Sequence, residues 1–165
     1  MSNFKVKINK ILEITCISLF VFITIIGTYQ IVTRYVFNSP STISEELLTF
    51  SFTWMALLSA ALVFGKREHM RMEFAVNFLK DKSKIMLNIV SEILVIAFAL
   101  TVLIYGGIKI TKLTATQITA SLGIPMSYVY IIIPITGILI VLYNIININE
   151  LVKDLKPKDL SKEGK

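Results

Sequence analysis

Residues 47–71 read LLTFSFTWMALLSAALVFGKREHMR: nineteen residues without a formal charge, Leu47 to Gly65, broken off by Lys66, Arg67, Glu68, His69 and Arg71. At about 1.5 Å of rise per residue, an uncharged helix of that length crosses the roughly 30 Å hydrocarbon core of a bilayer. Working outward, three more windows reach spanning length: Ile11–Thr33 before it, and Ile85–Ile108 and Ile124–Ile148 after it. The expected fold class is an all-α integral membrane protein with four transmembrane helices in a single domain over residues 1–150, followed by a charged tail, 151–165.

Charge sets the expected orientation. Of the chain's 17 Lys and Arg residues, all but Arg34, Lys109 and Lys112 fall in three segments separated by pairs of spans. These are Lys5, Lys7 and Lys10; then Lys66, Arg67, Arg71, Lys80, Lys82 and Lys84; then Lys153, Lys156, Lys158, Lys162 and Lys165. The positive-inside rule therefore puts both termini and the middle connection in the cytoplasm. The net charge of +6 is a topology signal and gives no support to a nucleic-acid partner. A hydrophobic content of 55% excludes a soluble domain of this size, and a mean hydropathy of +0.72 agrees. The first apolar run is longer than a signal-peptide core and lacks a small-residue cleavage site, so it reads as a retained span.

The two external connections, Arg34–Glu46 and Lys109–Gly123, are short and rich in turn formers. Between the second and third spans, Met70, Phe74, Ala75, Phe78 and Leu79 recur at helical spacing among charges. That pattern fits an amphipathic helix in contact with membrane lipid at the inner interface; a solvated loop whose charges enforce topology is the other reading. The tail from Lys153 carries Pro157 and many charges and is expected to be disordered.

Polar groups inside the spans bound the chemistry. Glu92, with Asn88 one turn before it, is the only carboxylate that the windows put deep, and no second acid is available to complete a sodium or proton site. It reads as a helix-packing or partner-contact residue, with a functional role as the alternative. Glu13 can snorkel, and Gln30, Asn144 and Asn147 suit hydrogen bonds at helix interfaces. No catalytic, cofactor-binding or metal-binding residues are expected. A single histidine, His69, cannot supply paired haem ligands, the single cysteine, Cys16, allows no internal disulfide, and there is no phosphate loop.

Packing signals are stronger. On the second span Ala56, Ser59 and Ala60 form one small-residue flank, and Trp54, Ala61 and Gly65 another, each suited to close helix approach. Either flank could be filled by the chain's own helices or by a partner. Pro134 should bend the outer half of the fourth span, whereas Pro125 fits its first turn.

At this point the residues resemble a family. Glu45-Glu46-Leu47, Trp54, Leu58-Ser59-Ala60-Ala61-Leu62 and Lys66-Arg67-Glu68-His69-Met70-Arg71-Met72-Glu73 are similar to the small membrane subunit of tripartite ATP-independent periplasmic (TRAP) transporters. So are Arg34-Tyr35-Val36-Phe37-Asn38 and Leu122-Gly123-Ile124-Pro125-Met126 with Tyr130 and Pro134. The departures are Ile43 where Trp is frequent, Ser59 where Gly is usual and Glu73 where Asp is usual.

The resemblance implies a subunit of a bacterial inner-membrane importer that is not an enzyme. A periplasmic substrate-binding protein captures an organic acid such as sialic acid or a dicarboxylate. A large membrane subunit moves it inward by sodium symport, and the small subunit is that subunit's scaffold. No cofactor is expected, with sodium coupling residing in the large subunit. Partner-interface candidates are Arg34, Glu45, Glu46, Trp54, Ala56, Ser59, Ala60, His69, Arg71, Glu73 and Glu92. Arg34, Glu45 and Glu46 either meet a partner or pair internally with a glutamate capping the second helix. His69, Arg71 and Glu73 would orient the interfacial helix. A four-span membrane enzyme and a small autonomous transporter stay open as alternatives.

Overall fold

The computed structural model describes residues 3–66 and 81–155. Among them there is no β-strand, and the regular structure is helical. The first span is α1 (Asn3–Tyr35) and the second α2 (Thr42–Lys66). The third runs through α3 (Asp81–Phe98), a π-helical segment (Ala99–Gly106) and α4 (Gly107–Leu113). A short α5 (Ser127–Tyr130) and a long α6 (Ile132–Leu155) make the fourth. Four stretches are long and apolar enough to cross a membrane: Lys5–Tyr35, Thr42–Lys66, Met86–Leu113 and Ser127–Asn149. The interfacial helix expected between the second and third spans, with His69, Arg71 and Glu73, lies outside the described residues, as do residues 156–165.

Threonine hydroxyls of the first span are satisfied by their own helix. Thr15, Thr24, Thr28 and Thr33 each donate to the carbonyl four residues earlier, at 2.8–3.0 Å, so these four hydroxyls present no unmet donor to lipid. Beyond α1, Asn38 takes the left-handed conformation (φ 48°), and the chain reverses as Ser39 N–H donates to the Thr33 carbonyl at 3.0 Å. Ser41 then caps α2: its Oγ accepts from Ser44 N–H, and Ser44 Oγ–H donates to the Ser41 carbonyl. The second helix thus starts at Thr42, five residues ahead of its apolar window, with Ser41 rather than Glu45 or Glu46 as its cap.

The fourth span breaks where proline requires it. Pro134 has no N–H to offer the Tyr130 carbonyl and its ring crowds that group, and α5 ends at Tyr130 with α6 beginning at Ile132. Pro125 does not start the helix; it pairs with Ile118 in an isolated bridge, and Ser127 is the first helical residue. The sequence carried no signal for the π segment, which lies in an uninterrupted apolar run.

Helix α6 is the centre of the bundle. In the most apolar window of the span Ser127–Asn149, most of which is α6, 44% of residues are buried, against 6% in Lys5–Tyr35. It packs on α2 and on the third span, while α1 packs mainly along α2. The core comprises Leu12, Leu58, Ile132 and Tyr143, with a second cluster of Ala61, Ala99 and Ile140. Glycines set the closest approaches. A Cβ on Gly107 would stand 2.8 Å from Pro134 Cδ, and one on Gly137 2.8 Å from Leu103 Cβ, so each helix of this pair seats a side chain of the other.

Candidate functional site

Four groups on four helices meet at the end of the bundle that carries the chain's N-terminal helix start. Asn147 on α6 is buried completely. Its Oδ1 accepts from Lys5 Nζ of α1 at 2.8 Å, and its Nδ2 donates to the Phe64 carbonyl of α2 and to Glu92 Oε1 of α3, both at 3.3 Å. One amide therefore joins all four spans. Lys5 is 1% exposed and Glu92 7%. Burying one cation and one anion around a shared polar partner is tolerable where either alone would be costly. The ammonium already uses the amide oxygen and repels any added cation, so the arrangement suits fastening better than ion binding.

The hub also sets the level of Glu92 relative to the other spans. Lys5, Phe64, Glu92 and Asn147 share one level through direct hydrogen bonds. From that level, about 20 residues of helix span the hydrocarbon core, which carries α2 back to Ser44, the third span up to Lys112 and the fourth back to Ser127. Glu92, six residues inside the apolar span Met86–Leu113, therefore sits level with the end of α2 and with the last turns of the fourth span. Lys109 and Lys112, assigned to a connection by the apolar window, belong to the last turns of the third span, with Lys109 Nζ 4.6 Å from the centre of the Tyr105 ring. Sequence reasoning counted Lys5 only as a topology charge. Its spacing from Asn9, one helical turn along, was the available sign of a buried face.

At the opposite end, Glu46 fastens two connections together. Its Oε2 accepts from Ser121 N–H at 3.0 Å and Leu122 N–H at 2.8 Å, tying the start of α2 to the loop before the fourth span. That loop is stiffened by Thr119, whose Oγ1 accepts from Ile124 N–H and whose N–H donates to the Ile124 carbonyl. Trp54 Nε1–H donates to the Val129 carbonyl at 3.0 Å, holding α5 where the fourth span is broken. Glu46 and Trp54 thus have contacts within the chain. Arg34 and Glu45 are exposed, and among the described residues Arg34 makes no ion pair with either glutamate. The half-exposed ion pair Lys66–Glu13, 2.6 Å, closes the α1–α2 hairpin at the hub end.

The two flanks of α2 have separate fates. Ala61 and Gly65 are buried against α6 together with Trp54's contact, and Ser59 Oγ lies 3.5 Å from Cys16 Sγ of α1. Ala56 and Ala60 are exposed. With Thr49, Phe52 and Thr53 they cover an open arc of about 100° on α2 at 100° per residue. The exposed face of α1 is different: Ile11, Ile14, Ile17, Phe20, Ile25 and Ile31 are large and apolar, as a lipid-facing surface requires.

The comparisons with known proteins agree with this architecture. The family model described as tripartite ATP-independent periplasmic transporters, DctQ component, matches residues 23–154. The chain is 30% identical over 133 residues to a Haemophilus influenzae protein named for the TRAP transporter small permease, covering 81% of this chain and 82% of that one. It is 30% identical over 146 residues to the sialic acid TRAP transporter small permease protein SiaQ of Vibrio cholerae, covering 88% of this chain and 84% of that one. It is also 30% identical over 132 residues to the sialic acid TRAP transporter permease protein SiaT of Haemophilus influenzae, covering 80% of this chain but 21% of that longer one. These relatives are transporter permease subunits, not enzymes.

Proposed function

This chain belongs to the DctQ-component family, the small permease subunits of TRAP transporters, and from that premise we propose that it is the stationary scaffold of a sodium-driven, binding-protein-dependent importer of an organic acid. The observation that carries this reading is where the buried polar groups go. Lys5, Glu92 and Asn147 bond the four helices to one another, and Glu46 and Trp54 fasten the loop and the broken span. A carrier would need such groups along a path across the membrane.

The partner is the large membrane subunit, which would hold the solute and the sodium ions. Likeness to about a fifth of the longer SiaT chain supports this, because that permease carries a similar module within one polypeptide. The open arc of α2 is the proposed seam: Thr49, Thr53, Ala56 and Ala60 keep the helix surface low enough for a neighbouring helix to approach. Arg34 and Glu45, exposed at the far end, would face the large subunit or the periplasmic binding protein. His69, Arg71 and Glu73 remain proposed for orienting an interfacial helix. The likeness to SiaQ and SiaT favours sialic acid, or a related carboxylated sugar, over a dicarboxylate. The assembly would sit in the inner membrane with both termini in the cytoplasm.

Proteoliposomes provide the test. With the large subunit, a solute-loaded binding protein and an inward sodium gradient, labelled sialic acid should accumulate; with this chain alone it should not. Glu92→Gln in the full system should leave the sodium-to-solute ratio unchanged. Uptake by the chain alone, or an altered ratio, refutes the scaffold assignment.

A further inference from the structure

One helical turn from the hub, toward the middle of the membrane, the same helices meet again. Asn9 follows Lys5 by four residues on α1, and Tyr143 precedes Asn147 by four on α6. Both side chains converge on Gly65 of α2. A Cβ there would lie 2.8 Å from Asn9 Oδ1 and 2.7 Å from Tyr143 Cζ. Asn9 is 9% exposed and Tyr143 1%, yet neither Asn9 Oδ1 nor the Tyr143 hydroxyl has a hydrogen-bond partner among the described residues. Asn144 Oδ1, on the adjoining residue and completely buried, is in the same condition. Three such groups cannot be left so without cost, since buried amides and phenols in proteins are almost always bonded to protein or to ordered water.

We propose that this crossing of α1, α2 and α6 binds a buried water molecule that bridges the Tyr143 hydroxyl and Asn9 Oδ1. The chemistry of the two groups is complementary to water and not to each other alone. The phenol donates, the amide oxygen accepts, and a water between them accepts from the first and donates to the second. A sodium ion suits the place less well. Its oxygen ligands would all be neutral, and the Lys5 ammonium stands one turn away. Gly65 is the residue that lets Asn9 and Tyr143 come together against α2, because any side chain there would collide with both. The water completes, in the apolar interior, the fastening of the first helix to the fourth that the hub makes nearer the surface.

Tyr143→Phe separates the possibilities because it removes one oxygen and nothing else. It is measured in the full-length chain in lipid nanodiscs by thermal unfolding, beside Asn9→Leu and the double variant. A bridged hydroxyl makes Tyr143→Phe less stable, with a fall in melting temperature on the order of 3 °C. Asn9→Leu lowers it as well, and the double variant falls no further than the worse single one, since losing either group releases the same water. The melting temperature is also unchanged when sodium is replaced by choline. An unaltered or raised melting temperature in Tyr143→Phe overturns the proposal, because removing an unbonded buried hydroxyl is neutral or stabilising. Additive losses overturn it too, and sodium-dependent stability assigns the place to a cation instead. An experimental density map with Tyr143 Oη directly on Asn9 Oδ1, and no peak between them, is equally fatal to it.

Discussion

Replacing Asn147 with leucine should unfasten all four helices at once, whereas the same change three residues earlier should hardly matter. Asn147 and Asn144 are both completely buried on α6. Asn144 Nδ2 donates only to the Ile140 carbonyl of its own helix at 2.7 Å, and its Oδ1 is not bonded. Asn147 links to Lys5, Phe64 and Glu92. Two of its bonds involve charged partners, worth about 1.5–3 kcal/mol each, so Asn147→Leu should cost about 3 kcal/mol even at the lower end. That shifts the folded-to-unfolded ratio by roughly a hundredfold. Asn144→Leu exchanges one neutral bond for apolar packing and should cost no more than about 1 kcal/mol. Denaturant titration of the full-length chain in mixed micelles, followed by Trp54 fluorescence, reads both. Similar midpoints for the two variants would refute the assignment of Asn147 as the shared joint.

Three other outcomes follow from the geometry. Ala56→Phe and Ala60→Phe should lose the co-expressed large subunit after detergent extraction at normal insertion levels, by the about 1–3 kcal/mol typical of overpacking, while Ala97→Phe, exposed on α3, keeps it; equal retention by all three would move the seam elsewhere. With Cys16→Ser as background, Ser39→Cys should react with an impermeant thiol reagent in intact cells and Ser83→Cys only after lysis, and the opposite pattern inverts the topology. Glu46→Gln weakens the acceptor shared by Ser121 and Leu122 N–H, so hydrogen exchange at those two amides should accelerate roughly tenfold for a loss of about 1.4 kcal/mol; unchanged protection means that the loop is held by other bonds.

The four spans were legible because each is a run of apolar residues long enough for a bilayer and because nothing else in the chain competes with that signal. Pro134 was legible for the same local reason: a missing N–H acts on its own helix wherever that helix goes. Partners across the bundle were not legible. A hydropathy window sees Glu92 only among its apolar neighbours in the chain, but its hydrogen-bond partner is Asn147, 55 residues away, which no local pattern reveals. Lys5 shows the converse, since a lysine outside the apolar window reads as solvent-facing until a partner on another helix appears. The division of α2 into a buried and an open flank was visible as two small-residue faces, but which one the chain would fill depended on how α6 is turned. The π segment left no trace at all, because it lies inside an uninterrupted apolar run with no local break.

The two polar fastenings lie near opposite ends of the second span. Glu46 and Phe64 are eighteen residues apart on α2, about 27 Å of helix. Between them the helices meet mostly through apolar side chains, which resist separation but slide easily past one another. Joints at the extremes give the bundle its longest lever arm against such sliding: a sideways load on one end is opposed by a torque taken up at the other. In the scaffold role proposed above, the bundle would meet sideways load from the large subunit leaning against it. Polar joints at both rims would let the bundle take that load without racking.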